Sequence, residues 1–308
     1  MNISSRRLRP RGLDASVMGI AFVAILFLAT SSFGVAQAKS FMWKISSKTK
    51  HGAAPSYILG SIHMGKKSFY PLPKAVQKAF AASKILVLEA RPDKAMAAMG
   101  ALVRKGMYMP PDSLQKHISP KTWAKIEAKL KGKTMLLTAV GQMKAWVAAI
   151  TVSALELKAA GFDPKLGVEN HLLARVGKKR IDVLEGMVWQ LNLFSSFSER
   201  DQELFLLYTL EQSGQTQKMM PKLISLWKRG DAAGLAKLIH TLSAKDKRLR
   251  PIEKKLLDDR NVSMSKTMIR MMKASKEAHF FVVGAAHLVG PKGIVRRLAK
   301  RGYRIEQL

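Results

Sequence analysis

Hydrophobic positions along this chain fall into two patterns. Short unbroken apolar runs occur near both ends and once in the middle, and long stretches between them carry apolar residues at helical spacing. Residues 41–45 and 57–59 predict a small hairpin, joined by a polar loop over 46–55 that contains Gly52 and Pro55. Tyr70-Pro71-Leu72-Pro73 marks a loop and a helix start, because proline suits a first helical turn, and an amphipathic helix follows over 74–83. Two further strands are predicted over 84–89 and 179–185; they end alike, in Val87-Leu88-Glu89 and Val183-Leu184-Glu185. The last part of the chain returns to this pattern: an apolar run from Phe280, a helix over 290–301 and a final strand over 303–306.

The intervening segments read as helical. Residues 93–105 form one segment, and Ser119-Pro120 opens another helix with serine as cap and proline at the first position. Residues 134–160 read as one long helix with Met143, Trp146, Val147 and Ile150 on a stripe suited to core packing. Gly161-Phe162-Asp163-Pro164 breaks it, and a helix is expected over 172–176. From 187 to 276 the chain is helical again, interrupted at Ser213-Gly214, Arg229-Gly230-Asp231 and 247–251. Strand, helix, strand at the start suggests a parallel crossover. The expected fold class is α/β: a small mixed or mostly parallel sheet in one domain over 39–308, with large helical insertions at about 93–161 and 187–276.

The first residues differ from the rest. Arg6, Arg7, Arg9 and Arg11 precede an apolar run over 17–28 and a small-residue segment ending Ala36-Gln37-Ala38. This is the pattern of a signal peptide over 1–38, cleaved after Ala38. The run is shorter than the ~20 residues of a spanning helix; an uncleaved N-terminal membrane anchor is the alternative. There is no cysteine, so thiolate metal sites and cysteine nucleophiles are excluded, and the exported chain relies on its core without disulfides. The expected location is the periplasm. The formal charge is +32, and loss of four arginines and Asp14 with the leader lowers it by 3 to +29. The basic residues are scattered through helical stretches and export argues against nucleic acid as partner, which leaves a solvated basic surface or attraction to an anionic membrane surface.

The candidate chemistry lies at strand ends. Gly60-Ser61-Ile62-His63 follows the second apolar run, and Gly284-Ala285-Ala286-His287 follows the run from Phe280. Each histidine is expected just past the carboxyl end of a strand, the edge at which open α/β sheets bind ligands. Pairing of the two strands would bring His63 and His287 together, and Glu89 and Glu185 would share the same edge. Two histidines and a carboxylate suit a divalent metal ion, and a remaining carboxylate suits a general base or support for the ligands. Arg260 and Asn261, in Asp258-Asp259-Arg260-Asn261, suit substrate binding or oxyanion stabilisation. Each residue also has a plain alternative: a histidine in a turn, a glutamate paired with one of many lysines, an aspartate pair opening a helix. HExxH, GxSxG, a Walker loop and GxGxxG are all missing from the sequence, and no base stands at a spacing that would make Ser61 a nucleophile.

Taken together these anchors resemble the TraB/GumN family, related to the Tiki metalloproteases. The resemblance runs through 59–65 and 70–73, Val87-Leu88-Glu89, Gly167-Val168-Glu169, Leu184-Glu185-Gly186 with Gln190, Arg260-Asn261 and 283–290. It implies an EreA/ChaN-like α/β fold and, for Tiki-type members, metal-dependent peptide cleavage with Mn or Co. Carried over by position, His63, Glu89 and His287 would hold a divalent ion (Mn, Co or Zn), with Glu185, Arg260 and Asn261 as the catalytic group. The chain departs from the family pattern at Asp259, where the family often has Glu, and at Glu169, where it often has Asp. The expected function is a metal-dependent hydrolase of the cell envelope acting on a peptide or other small envelope substrate. The alternative is a non-catalytic periplasmic protein that sequesters a peptide, haem or glycan intermediate in the same cleft.

Overall fold

The computed structural model describes residues 39–47, 54–243 and 246–308. The predicted signal peptide and the middle of the predicted hairpin loop lie outside these residues. Among the described residues no helix is long and apolar enough to cross a membrane.

Six strands form one mixed sheet: β1 (Met42–Ser47), β2 (Ser56–Ser61), β3 (Ile85–Leu88), β4 (Arg180–Val183), β5 (His279–Gly284) and β6 (Tyr303–Gln307), in the order β4-β3-β5-β2-β1-β6. β4, β3, β5 and β2 run parallel to one another; β1 is antiparallel to both β2 and β6. The expected hairpin is therefore present as β1 and β2. β3 and β5 are buried along their whole length, which explains why they read as continuous apolar runs: a parallel strand covered on both faces has no polar side to alternate with.

The central placement of β5 decides the geometry of the cleft. It inserts between β2 and β3, so the two Gly-x-x-His strands are direct neighbours, with Gly60 opposite Val283 and Ser61 opposite Gly284. The motifs are thus staggered by one residue. Leu88 lies opposite Val282 on β5 and opposite Val183 on β4. The chain leaves all four parallel strands at the same edge, and the residues that follow are His63, Glu89, Glu185 and His287.

Among the described residues fourteen helices connect and cover the sheet. α1 (Lys74–Ala82) is the crossover from β2 to β3. Between β3 and β4 come α2 (Met99–Gly106), α3 (Pro120–Lys129), α4 (Thr134–Gly141), α5 (Ala145–Ala159) and α6 (Val168–Leu173). Between β4 and β5 come α7 (Met187–Ser195), α8 (Glu199–Glu211), α9 (Gln215–Lys228), α10 (Ala232–Ser243), α11 (Arg250–Glu253) and α12 (Arg260–Ala274). The short α13 (Ala285–Leu288) carries His287, and α14 (Ile294–Lys300) leads to β6. Ser119 caps α3 as expected, its Oγ accepting from the Thr122 N–H at 3.3 Å.

Several helix boundaries differ from the sequence reading. The single helix expected over 134–160 is two helices, α4 and α5. Met143 pairs with Met107 in an isolated β-bridge there, an interaction between distant segments that local periodicity does not carry. Trp146 and Val147 are buried as expected, but Ile150 faces outward. The segment over 93–105 starts as a 3-10 turn, Pro92–Ala98, before α2. The helix expected over 172–176 begins earlier, as α6 at Val168, and the helix expected from 290 starts at Ile294 because Gly290 has a positive φ of 78°. A π-helical stretch, Lys254–Asp259, joins α11 to α12, immediately before Arg260; such insertions shift the helical register and recur at functional sites.

The main core packs both faces of β2, β3 and β5. A second cluster, around Leu114, Ile126, Val140, Ala148 and Leu206, holds the α3–α5 and α8 bundle together. The second insertion is fastened to the sheet by Trp227 of α9. Its buried Nε1–H donates to the Gly60 carbonyl at 2.7 Å, and its ring lies 5.2 Å from that of Phe69. Trp227→Phe keeps most of the ring contact but leaves the Gly60 carbonyl unpaired. The expected loss is about 1–3 kcal/mol of unfolding free energy in urea denaturation, and an unchanged midpoint would mean that this bond does not fasten α9 to the sheet.

Candidate functional site

The cleft at the carboxyl edge is built around Glu89, the residue after β3. Its side chain is buried, Oε2 accepts the Gly284 N–H at 2.6 Å, and Oε1 accepts from Arg260. Gly284 sits tightly among these side chains. A Cβ there would lie 3.2 Å from His63 Nε2, 3.4 Å from Glu89 Oε2 and 3.5 Å from His287 Cδ2. The three predicted ligands therefore converge on the space a side chain at 284 would take.

Each histidine is held by its other ring nitrogen. His287 is buried on α13, and its Nδ1 lies 2.7 Å from Asn261 Oδ1. Because the amide oxygen only accepts, Nδ1 carries the proton and the Nε2 lone pair is left free, 3.8 Å from Glu89 Oε1. His63 Nδ1 lies 2.8 Å from Glu169 Oε1, and Ser61 donates to the same oxygen. Glu169 sits in the first turn of α6 and is buried. This acceptor-on-Nδ1 arrangement fixes the tautomer and orientation of histidines that ligate through Nε2.

The approach of α6 to the β2 loop depends on two glycines. A Cβ at Gly65 would meet the Leu166 carbonyl oxygen at 1.7 Å, and one at Gly167 would meet the His63 carbonyl oxygen at 2.1 Å. The backbones of Gly65 and Asp163 exchange hydrogen bonds, and the Val168 N–H donates to Ile62 O at 3.2 Å. Only paired glycines allow the two chains this close, and Glu169 reaches His63 as a result.

Arg260 opens α12 and spans the two carboxylates. Its Nε lies 3.1 Å from both oxygens of Glu185, and its Nη2 donates to Glu185 Oε2 at 2.8 Å and to Glu89. Glu185 also accepts from Gln190 at 3.3 Å. Asn261 is buried, and besides holding His287 it donates from Nδ2 to Lys292 O at 3.2 Å. The structure thus brings all six predicted residues to one cleft, His63, Glu89 and His287 around Gly284 and Glu185, Arg260 and Asn261 behind them. Glu169 had no role in the sequence reading beyond its place in the family anchor Gly167-Val168-Glu169. The signal available was the glycine two positions before a carboxylate, but its partner lies 106 residues away.

The donor types fit a divalent ion: His287 offers a free Nε2, His63 offers one once its second proton is lost, and a carboxylate lies between them. Among the described residues no three His, Asp or Glu side chains stand as a closed metal-holding group, and Glu89 turns both oxygens to hydrogen-bond donors.

The two histidines have opposite electrostatics. His63 is 63% exposed by side-chain area, yet the protein packed around it still desolvates the ring. Burial alone would lower its pKa; Glu169, with help from Glu89, outweighs burial and raises it to about 9. His287 is pushed down to about 4, by burial first, with Arg260 and His63 adding to the effect against Glu89. Burial would raise Glu89, but the histidines, Arg260 and the Gly284 N–H hold it below the usual carboxylate range. Glu169 is likewise held low against burial, chiefly by His63.

These shifts fix the sign of a pH dependence in the metal-free protein. His63 lies above its ordinary 6.5, so its pairing with Glu169 stabilises fully below 6.5 and is lost as pH rises through about 9. His287 lies below 6.5, so the unfolded chain takes up its proton first and stability falls as pH drops from 6.5 toward 4. Imidazole NMR titration is expected to show one midpoint near 9 and one near 4, and Glu169→Gln is expected to move the upper one down. Two midpoints both near 6.5 would contradict the pairing.

A model described as the TraB/PrgY/gumN family matches residues 41–307. No curated protein and no solved structure matches the chain. The matched span runs from the residue before β1 to the last residue of β6 and contains every side chain of the cleft, so the chain belongs to the TraB/PrgY/gumN family.

Proposed function

We propose that this protein is a metal-dependent hydrolase of the cell envelope, acting on peptides, with the carboxyl-edge cleft as its active site. The observation that carries the reading is the pair of histidines whose Nδ1 atoms are occupied by Glu169 and Asn261, while both rings converge with Glu89 on Gly284. In this reading His63, His287 and Glu89 would hold a Mn, Co or Zn ion. A bound divalent ion supplies Lewis-acid activation of water and of a scissile carbonyl.

The chain's own residues do the rest. Glu169 orients His63 and Asn261 orients His287. Arg260 lies beside Glu89 with its guanidinium charge in a low-dielectric setting, where it favours negative charge developing on a substrate oxygen. Glu185 acts through Arg260, fixing the plane of the guanidinium by bonds to Nε and Nη2. As a buried carboxylate already paired with arginine, it is a positioning residue more than a free base. The periplasm is the proposed location, following from the leader pattern, and a basic exterior allows contact with anionic membrane surfaces.

A second reading has one observation in its favour. Both oxygens of Glu89 are already hydrogen-bonded, one to Arg260 and one to Gly284, an arrangement that would also serve a non-catalytic protein that retains a peptide, haem or glycan intermediate.

Thermal unfolding with added Mn, Co or Zn separates the two. An ion present at 100 times its dissociation constant stabilises by about 2.7 kcal/mol. That gain is expected in the wild type and is expected to vanish in His63→Ala and His287→Ala, with peptide hydrolysis lost in parallel. If no ion shifts the wild type while a ligand is recovered intact from the purified protein, the retention reading replaces the hydrolase.

A further inference from the structure

A second cavity, of about 780 Å³, lies between α1, α6 and the turn into β4. It is separate from the carboxyl-edge cleft in both place and chemistry. Lys84 and Lys179 immediately precede β3 and β4, so they stand at the amino ends of the strands whose carboxyl ends lead to Glu89 and Glu185. Its lining divides into two parts. Leu72, Val76 and Phe80 are buried and form an apolar wall; Lys84, Arg175, Lys178 and Lys179 supply four cations. No carboxylate lines it, and none of the four cations is in a described ion pair. In a chain with this many lysines a basic surface alone means little, but a cavity that concentrates cations against apolar side chains without a counter-charge is a defined chemical setting.

Two of the cations are also held in place. Lys179 is half-buried, donates to Ser83 O at 2.6 Å and Ala81 O at 3.2 Å, and lies 5.0 Å over the Phe80 ring. Burial first, then the nearby Lys84, lowers its pKa, the response of an ammonium group facing a like charge with no anion near. Arg175 is anchored to His171, bonding its carbonyl at 3.1 Å and its Nδ1 at 3.3 Å. His171 is stacked on Tyr70 with ring centroids 3.8 Å apart and 8° between planes. Burial and Arg175 keep the imidazole neutral, so with Nδ1 accepting, Nε2 carries a proton that can be donated.

We propose that this cavity binds an amphipathic organic anion, with a phosphate or carboxylate head held by Lys84, Arg175, Lys178 and Lys179 and an apolar body against Leu72, Val76 and Phe80. Pockets for small ligands combine an apolar lining with a few convergent polar groups in this size range. The head neutralises the cations, and the body packs along the side of the cavity that Leu72, Val76 and Phe80 line.

The test uses octyl phosphate below its micelle-forming concentration, with octanoate, inorganic phosphate and octyl glucoside alongside, on the full mature chain. Octyl phosphate is expected to bind and to shift the methyl NMR signals of Leu72 and Val76. Lys84→Ala/Lys178→Ala is expected to weaken it at least tenfold. Both lysine side chains are exposed and neither is in a described ion pair, so the variant's unliganded melting temperature is the check on folding. A Lys105→Ala/Lys131→Ala control, which removes the same charge elsewhere, is expected to leave binding within twofold. Octanoate binding as well as octyl phosphate assigns the site to anionic heads in general; binding of octyl phosphate alone assigns it to phosphates. Equal binding of octyl glucoside, equal binding of inorganic phosphate, equal loss in both lysine variants, or no response of the Leu72 and Val76 methyls would each overturn the proposal.

Discussion

The cleft depends on one buried carboxylate. Glu89 leaves the end of a fully buried strand, where an unpaired charge would be strongly unfavourable. It is kept ionised by a backbone N–H from Gly284 and by the guanidinium of Arg260. Removing one partner of such a buried pair commonly costs about 3–5 kcal/mol, because the remaining charge is left without compensation. Buried pairs of this kind often add no more stability than apolar side chains of similar volume. The pair makes the position of α12 conditional on β3, and it assembles β3, β5, α12 and the β4 end around one carboxylate. His287 and His63 then take their places on either side of a charge that is already fixed.

This arrangement explains why the chain's long helical insertions converge where they do. The first insertion ends in α6, which brings Glu169 to His63. The second ends in α12, which brings Arg260 to Glu89 and Asn261 to His287. Each insertion therefore closes on the sheet edge through the residues that orient a strand-end histidine or carboxylate. The strands place the histidines and carboxylates, and the helices fix their rotamers and protonation. The opposite shifts of the two imidazoles follow from this division: His63 is oriented by a carboxylate and gains a proton readily, whereas His287 is oriented by a neutral amide, is more deeply buried, and stays unprotonated.

The strand core and its edge were legible in the sequence because parallel, doubly covered strands are written as continuous apolar runs, and 85–88 and 280–283 contain nothing else. The two Gly-x-x-His repeats mark the same edge for the same physical reason, a tight exit from a buried strand. The partners of these residues were not legible. Glu169 finds His63 only because Gly65 and Gly167 let two backbones touch, and nothing local to either glycine announces the other. The pairing of Glu185 with Arg260, 75 residues away, has no local signal. The break at 142–144 was hidden for the same reason, since it is set by a bridge to Met107. What failed in each case was long-range pairing, and what succeeded was local burial.

One short helix is common to the carboxyl-edge cleft and the basic cavity. α6 presents Glu169 to His63 from its first turn, while Leu172 in its last turn, with Arg175 and Val176 just beyond, lines the basic cavity. The loop before it is fixed at both ends of this span: Gly167 is pressed against the His63 carbonyl, and Tyr70, stacked on His171, donates to Leu166 O at 2.7 Å. A six-residue helix has little intrinsic stability and takes its position from such contacts. Its placement is therefore over-determined by backbone apposition on one side and ring stacking on the other. That rigidity suits the orienting role of Glu169, because a shift of α6 large enough to release His63 would have to break both sets of contacts at once.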